Sequence, residues 1–181
     1  PTLLNEHGLN NRVLFTYKCK KCGHISVDFF QDSISHCAKC SNFDRHLVGI
    51  DNSIEEQDLN KVYNCFDIYA QYANSEGFGM PQLEAAYAGL PVIGTNYSAM
   101  ESVLKSIGGY AIDPIELSME AETGCYRAIP DNQKFIDTVI SMLAEKDKLR
   151  EIGLETSRKA RENYSWDKTA NVWLKRIESI E

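Results

Sequence analysis

The sequence predicts an α/β fold in which a parallel β-sheet is covered by helices on both faces. Two observations support this class: short apolar, β-branched and aromatic runs recur along the chain, and segments with helical periodicity lie between them. Strands and helices that alternate at this spacing favour βαβ units, which build parallel sheets. The predicted strands are RVLFTY (12–17), HLVGI (46–50), FDIYAQYA (66–73), PVIGT (91–95) and YAID (110–113).

The predicted helices are marked by residues that begin or end them. Pro81 suits a first helical position and Gly89 a stop, so MPQLEAAYAG is predicted to be a helix between two strands. Ser98 followed by Glu101 predicts a capping box at the start of the next helix. Two long amphipathic helices are predicted near the end of the chain, over FIDTVISMLAEKDKLREIG and SRKARENYSWDKTANVWLKRIESI.

Composition and charge limit the classes of protein. The chain has 181 residues and a net charge of −7, whereas proteins that bind nucleic-acid backbones gather Lys and Arg along one face. It has no apolar run of the ~20 residues that a membrane span needs and no leader-like start, so a cytoplasmic protein is predicted. It begins at Pro1 in what resembles the tail of a helix, which predicts a fragment of a longer chain.

Four cysteines form the most specific pattern in the sequence. They stand as two CxxC pairs, CKKC and CAKC, fourteen residues apart. Two such pairs can give four thiolates to one tetrahedral zinc ion. Because four thiolates close the coordination shell, this zinc is predicted to be structural rather than catalytic. The predicted ligands are Cys19, Cys22, Cys37 and Cys40.

Other interpretations of the cysteines stay open at this stage. The four residues could form two disulfides or be unligated, and His24, His36 or His46 could replace or assist a ligand. The cysteines lie between the first two predicted strands. Residues 18–45 are therefore predicted to be a zinc-ribbon-like subdomain inserted into an α/β domain that spans residues 1–181.

The stretch SEGFGMPQLEAAYAGLP (75–91) combines two carboxylates with a glycine turn. A strand ends before it and a helix starts within it, so the first backbone N–H groups of that helix form an anion site above the carboxyl end of the strand. Gly77 and Gly79 lack a Cβ and let a ligand approach the main-chain amides closely. Glu76 lies at the mouth of the helix and Glu84 one turn into it, either as ligand contacts or as solvated glutamates favourable to a helix N-terminus.

The segment EGFGMPQLEAAYAGLPVIGT resembles the donor-site signature of retaining GT-B glycosyltransferases of the family 4 type, E-G-F-G-x-P-x-x-E-A-x-x-x-G-x-P-V. The segment SIEEQDLNKVYNCFDIYAQYA before it, and LREIG and RENYSWDKTANVWL after it, are similar to neighbouring elements of that family. The resemblance covers residues 9–17 and 46–178 and leaves out the CxxC segment. It implies a Rossmann-like fold, the GT-B C-terminal domain, that binds a nucleotide-diphosphate sugar.

The resemblance also implies a role for each matching residue. Glu76, the predicted catalytic residue, would accept a hydrogen bond from a hydroxyl of the donor sugar, and Glu84 would hold the ribose hydroxyls. The amides of Phe78, Gly79 and Met80 would face the sugar and the diphosphate. Transfer would proceed with retention and without a metal. The predicted donor-binding residues are therefore Gly77, Phe78, Gly79, Met80 and Glu84.

The sequence departs from the family pattern in several places. An arginine and a lysine that clamp the donor phosphates are absent from this chain. So is the N-terminal acceptor-binding domain that closes over the donor, and that domain is the predicted partner. TNYSAMESV has Ser98 and Ala99 where the family has two glycines, and IELSMEAETG (115–124) is longer than the family's simple turn.

The main prediction is a glycosyltransferase that moves a sugar from a nucleotide-diphosphate sugar to an unknown acceptor with retention. One alternative is a binding module whose ribbon grips nucleic acid or a partner protein, although Asp28, Asp32 and Asp44 weaken its basic character. A second alternative is a sugar-nucleotide epimerase of the same architecture. Under the main prediction, nucleic acid is not a partner of the protein.

Overall fold

A computed structural model describes residues 2–180 of the chain. It divides the chain into two compact units, residues 1–59 and residues 60–181. No helix of the described residues is both long enough and apolar enough to cross a membrane.

The first unit is built on a small antiparallel sheet. Its elements are the helix α1 (Thr2–Glu6) and the strands β1 (Leu14–Cys19), β2 (Ile25–Phe29), β3 (Ser35–His36) and β4 (Phe43–Leu47). The strands are ordered β2-β1-β4-β3. Helix α2 (Glu56–Tyr63) follows and contains the boundary between the units. This first unit is wider than the predicted subdomain 18–45, and the insertion of that subdomain into a larger domain stays a prediction.

The prediction that residues 12–17 and 46–50 belong to the parallel sheet is wrong. The strands at these places, β1 and β4, pair antiparallel with each other in the first unit. The reason lies in the alternation along β1, where Tyr17 and Cys19 are buried and Lys18 between them is only half-buried. Such alternation is typical of a strand with one solvated face, whereas strands of a parallel sheet are buried on both faces.

The second unit alternates strands and helices. Its strands β5 (Tyr69–Gln71), β6 (Val92–Thr95) and β7 (Tyr110–Ile112) form a parallel sheet in the order β5-β6-β7, which confirms the last three predicted strands in shortened form. A separate antiparallel hairpin consists of β8 (Glu116–Met119) and β9 (Tyr126–Ile129). The helices are α3 (Met80–Tyr87), α4 (Ser98–Ile107), α5 (Asn132–Ala144), α6 (Lys146–Asn163) and α7 (Trp166–Glu178).

Helices cover both faces of the parallel sheet, as the sequence predicts. The central strand β6 is buried along its whole length. Its Ile93 packs with Phe135 of α5, whereas a Cβ added to Gly94 would lie 3.1 Å from a methyl group of Leu104 in α4. Since neighbouring residues of a strand point to opposite faces, α4 and α5 lie on opposite sides of the sheet.

The long C-terminal helices break at places other than those predicted. Gly153 lies inside α6 rather than at a helix end. A Cβ on Gly153 would lie 2.0 Å from the carbonyl oxygen of Gly89, so this glycine permits close packing instead of stopping a helix. The breaks fall at Glu145 and before Ser165, whose side chain accepts a hydrogen bond from the amide of Lys168 and caps α7.

Candidate functional site

Helix α3 begins at a left-handed glycine. Gly79 has φ 80° and ψ 52° at the N-cap, and a Cβ there would lie 2.6 Å from the side-chain nitrogen of Gln82. Pro81 follows in the first turn, where its missing N–H costs no hydrogen bond. Gln82 is fully buried and donates from Nε2 to the carbonyl oxygen of Phe78 at 3.3 Å. The turn and the helix are thereby fixed to each other, and the predicted start of this helix is confirmed.

Glu84 lies one turn into α3 and is oriented by a tyrosine. The hydroxyl of Tyr63 donates to Oε2 of Glu84 at 2.9 Å, and Tyr63 is only 7% exposed. Burial, together with this hydrogen bond, raises the pKa of Tyr63 above its usual range. The phenol therefore stays a donor and holds the carboxylate in one position.

Glu76 lies in the loop between β5 and α3 and is held by its side chain and its backbone. Its Oε1 accepts a hydrogen bond from Nε2 of Gln71 at 2.9 Å, while Tyr69 donates to Oε1 of Gln71 at 2.6 Å. Burial, followed by the negative charges of Glu84 and Glu76, raises the pKa of Tyr69 to about 12. The backbone amide of Glu76 donates to Oγ of Ser98 at 3.0 Å.

Ser98 has a different role from the predicted one. It is the first residue of α4 rather than its cap, and the N-cap residue Tyr97 makes no side-chain capping bond, so the predicted capping box with Glu101 is wrong. The φ of Ser98 is 52°, a region uncommon for residues other than glycine. Its hydroxyl accepts from the amide of Glu76 and lies 3.3 Å from the carbonyl oxygen of Glu76. Ser98 therefore links the start of α4 to the Glu76 loop.

A cavity of about 430 Å³ opens beside this loop. Two predicted site residues, Glu76 and Gly77, line it, and the other predicted donor-binding residues lie outside its lining. A larger cavity of about 740 Å³ lies against α5 and α6 and is lined by none of the predicted site residues. The smaller cavity is completed by Ser75, Tyr97, Ser98, Tyr126 and Arg127.

The remaining predicted residues surround the start of α3. Phe78 is 42% and Met80 54% exposed, whereas Gly79 is buried. The ring of Phe78 meets the ring of Tyr164 edge-on, with 6.0 Å between the ring centres. Phe78 and Met80 thus leave part of their surface open to a ligand.

The sequence analysis missed Gln71, Tyr63 and Arg127 as site residues, and it named Ser98 only as a helix cap and as a departure from the family pattern. Gln71 and Ser98 could have been predicted as site residues from their positions. Gln71 ends the parallel strand β5, and Ser98 follows the parallel strand β6, where ligand contacts concentrate in α/β domains. No local pattern marks Tyr63 and Arg127, whose partners in the site lie in other elements.

The four predicted cysteine ligands meet in the first unit. Their sulfur atoms all lie within 4.8 Å of one another, with 3.7 Å between Cys19 and Cys40 and 3.6 Å between Cys22 and Cys37. These separations are far longer than the ~2.05 Å of a disulfide bond. All four cysteines are free, so the alternative of two disulfides does not apply to this arrangement.

Tight turns aim the cysteine sulfurs at each other. In the first turn, the amide of Gly23, whose φ is 70°, donates to the carbonyl oxygen of Cys19 at 2.9 Å. In the second, the amide of Ser41 donates to the carbonyl oxygen of Cys37 at 2.8 Å. Hydrogen bonds from the side chain and the backbone of Asn42 lower the pKa of Cys40 to about 6, whereas at Cys22 the hydrogen bond from the backbone of His24 is outweighed by burial and by hydrogen bonds from the other cysteine sulfurs, which raise the pKa of Cys22 to about 12.

The histidines near the cysteines have other partners. Nδ1 of His36 lies 3.1 Å from the carbonyl oxygen of Ser41, and Nε2 of His46 lies 2.9 Å from the carboxylate of Asp44. His24 is not part of the group of possible metal ligands found among the described residues. The cysteines alone make up that group.

The parallel β-sheet with helices on both faces is consistent with the fold of a glycosyltransferase domain. The chain belongs to the glycosyl transferases group 1 family, whose model matches residues 45–159. This match includes both carboxylates and begins after the last cysteine of the cluster.

Two curated proteins are similar to the chain. A sucrose synthase of Melioribacter roseus is 32% identical over 114 residues, which are 62% of this chain and 12% of that protein. The UDP-N-acetylglucosamine–peptide N-acetylglucosaminyltransferase GtfA subunit of Streptococcus agalactiae is 29% identical over 116 residues, which are 60% of this chain and 19% of that protein. The matched part of the chain therefore spans less than a fifth of either relative.

Proposed function

We propose that residues 60–181 bind the donor of a retaining glycosyltransferase, a nucleotide-diphosphate sugar whose sugar passes to an acceptor that has yet to be identified. One observation carries this proposal: Glu76 and Glu84 flank the start of α3, and each is oriented by one neutral donor that uses a single carboxylate oxygen. Within residues 2–180, Oε2 of Glu76 and Oε1 of Glu84 have no hydrogen-bond partner. These oxygens can accept ligand hydroxyls.

The two carboxylates suit different parts of the donor. Glu76 lines the cavity beside Gly77 and is proposed as the catalytic residue, which accepts a hydroxyl of the sugar and positions it for transfer. Glu84, further along α3, is proposed to accept the ribose hydroxyls. Hydrogen bonds to ionised acceptors are about twice as strong as neutral ones, so both contacts favour a single orientation of the donor.

The diphosphate of the donor lies between its sugar and its ribose, and the start of α3 suits this diphosphate. The amides of Phe78, Gly79 and Met80 are proposed to face it, because the first N–H groups of a helix carry partial positive charge. Gly77 offers open space, since nothing lies within 4 Å of a Cβ added there. The same amides would stabilise the charge of the departing diphosphate.

Transfer needs an acceptor, and we propose that a separate acceptor-binding domain is the partner of this one. The matched part of the chain is less than a fifth of each relative, which leaves room for such a domain in a protein of this kind. The exposed apolar side chains of α7, among them Trp166 at 88% and Trp173 at 63% exposure, offer a surface for it. The 181-residue chain is expected to bind the donor weakly and to transfer no sugar alone.

We also propose a structural zinc ion between Cys19, Cys22, Cys37 and Cys40. Four Zn–S bonds of about 2.3 Å in a tetrahedron separate the sulfur atoms by about 3.8 Å. The separations of 3.6 Å between Cys22 and Cys37 and 3.7 Å between Cys19 and Cys40 fit this geometry. Four thiolates leave no open position on the metal, so the ion would support the fold of the first unit and take no part in transfer.

Calorimetric titration of the 181-residue chain with UDP, ADP and GDP tests the donor site. Glu84→Ala should weaken binding of the preferred nucleotide about 10-fold or more, because it removes a charged acceptor. Glu84→Gln should weaken it less, since an amide oxygen still accepts. Glu151→Ala, which removes an exposed glutamate of α6, is the matched control and should bind normally. If Glu84→Ala bound all three nucleotides as tightly as the unsubstituted chain, the assigned site would be wrong.

A further inference from the structure

The hairpin β8–β9 forms one wall of the candidate donor cavity. Three hydrogen bonds attach it to the neighbouring loops. The amide of Ala128 donates to the carbonyl oxygen of Asn74 at 2.9 Å, and the hydroxyl of Tyr97 donates to the carbonyl oxygen of Tyr126 at 3.0 Å. The guanidinium of Arg127 supplies the third bond. The hairpin is therefore held in place beside the Glu76 loop.

Arg127 projects from this wall with a fixed orientation. Its Nη1 donates to the hydroxyl of Ser75, and its Nη2 pairs with Oε2 of Glu120 at 3.0 Å. Glu120 is itself held by the hydroxyl of Thr123 at 2.6 Å. The Thr123 hydrogen bond, and then that of Arg127, lower the pKa of Glu120, so this carboxylate is ionised and keeps the guanidinium in position.

The charges of the cavity lining match a ligand that carries both hydroxyls and an anion. Of the residues that line it, Glu76 is the acidic one and Arg127 the basic one. A guanidinium offers five N–H donors in a planar fork, of which Ser75 and Glu120 use two. Within residues 2–180 the remaining donors have no hydrogen-bond partner, so they can meet phosphate oxygens, which this fork fits in a bidentate manner.

We propose that Arg127 binds the diphosphate of the donor from the hairpin side of the cavity that Glu76 also lines. This inference rests on the proposed function. Arg127 supplies a cation to the cavity from a segment that follows α3 by about forty residues. It makes the hairpin a part of the donor site.

The test compares a nucleoside with its diphosphate, for example uridine with UDP, by calorimetry on the 181-residue chain. Arg127→Gln should weaken diphosphate binding about 10- to 100-fold and leave nucleoside binding unchanged, because a charged hydrogen bond to phosphate is lost. Arg127→Lys should retain part of the affinity, since it keeps the charge without the fork. Arg158→Gln is the matched control, because Arg158 is an exposed arginine of α6 that also pairs with carboxylates.

A further variant separates ligand binding from a purely structural ion pair. Glu120→Gln removes the ion pair but keeps the cation, so diphosphate binding should persist or strengthen. If Arg127 only held the hairpin, Glu120→Gln and Arg127→Gln would have the same effect, and nucleoside and diphosphate would be affected equally. Either result overturns the inference.

The inference and the proposed function fail in different ways. If the diphosphate bound, lost affinity in Glu84→Ala and kept it in Arg127→Gln, the inference would fail while the proposed donor site stood. If neither nucleoside nor diphosphate bound the unsubstituted chain, or Glu84→Ala had no effect, the donor site itself would be wrong and the inference would fall with it.

Discussion

The hydroxyl of Tyr63 is a single group whose removal tests how Glu84 is held. Tyr63→Phe keeps the ring, with its edge contacts to Phe66 and Tyr69, and deletes only the hydroxyl, which lies 2.9 Å from Oε2 of Glu84 and 3.3 Å from the carbonyl oxygen of Pro81. A hydrogen bond to a charged group contributes about 1.5–3 kcal/mol net, and the lower end applies because Glu84 is half-buried and can turn to water. The free energy of unfolding should fall by about 1.5 kcal/mol, equivalent to about 5 °C in Tm.

The same substitution should weaken nucleotide binding without abolishing it. A glutamate that is no longer oriented must be ordered when the ligand binds, which costs about 0.5–1.5 kcal/mol and corresponds to a 2- to 12-fold higher Kd. Calorimetric titration and thermal unfolding measure the two effects. Tyr87→Phe on α3 is the matched control, because the described residues give its hydroxyl no hydrogen-bond partner. An unchanged Kd in Tyr63→Phe, beside a large loss in Glu84→Ala, would refute the idea that Tyr63 orients Glu84.

Three other predictions concern the metal, the pH dependence and the packing. Cys37→Ser should lose the bound zinc measured by elemental analysis, whereas Cys65→Ser, which lies outside the cluster, should keep one ion per chain; equal zinc in both would contradict the site. Because Tyr69 keeps its proton to about pH 12 when folded but loses it near pH ~10 when unfolded, the unfolded chain binds fewer protons in this range. The free energy of unfolding of the protein should therefore fall as the pH rises from about 10 to about 12, and it should fall less in Tyr69→Phe. If urea titrations at several pH values gave the same fall in both proteins, this reasoning would be wrong. Gly153→Ala should lower that free energy by ~1–3 kcal/mol in urea unfolding, because the added carbon meets backbone, whereas Gly77→Ala should change it little; a neutral Gly153→Ala would show that α6 can shift at no cost.

The start of α3 could be predicted because local rules decide it. Gly79 needs a left-handed backbone, and Pro81 suits the first turn whatever surrounds them. The positions of the parallel strands β5, β6 and β7 were also predictable, since each lies in an apolar run separated from the next by a helix. The resemblance then assigned roles to Glu76 and Glu84 that neither spacing nor periodicity could supply.

The partners of the first two strands could not be predicted from local pattern. A short apolar run does not reveal whether it joins a parallel sheet or an antiparallel one, and only the half-buried Lys18 between Tyr17 and Cys19 separates the two cases. The prediction of a helix that ends at Gly153 was wrong for a similar reason. A glycine in a helix is read as a stop, yet its function here depends on the carbonyl of Gly89, sixty-four residues earlier.

The place of Arg127 at the site could not be predicted from the sequence either. Its contacts with Ser75 and with the cavity arise from the fold of the hairpin β8–β9. No spacing within the sequence connects residue 127 with residue 75. Long-range contacts of this kind are set by tertiary packing, which the sequence patterns do not encode.

In the described part of the chain, one strand of the hairpin, β9, makes the contacts that attach the hairpin to its neighbours, and the other strand, β8, does not. The three hydrogen bonds that attach it to neighbouring loops all involve β9, while all four residues of β8 are exposed. Exposed positions without such contacts usually tolerate substitution within about 0.5 kcal/mol. Mutations can therefore accumulate along β8, next to a cavity proposed to hold the donor, at little risk to the fold. A library confined to this strand would be an economical place to look for altered donor preference.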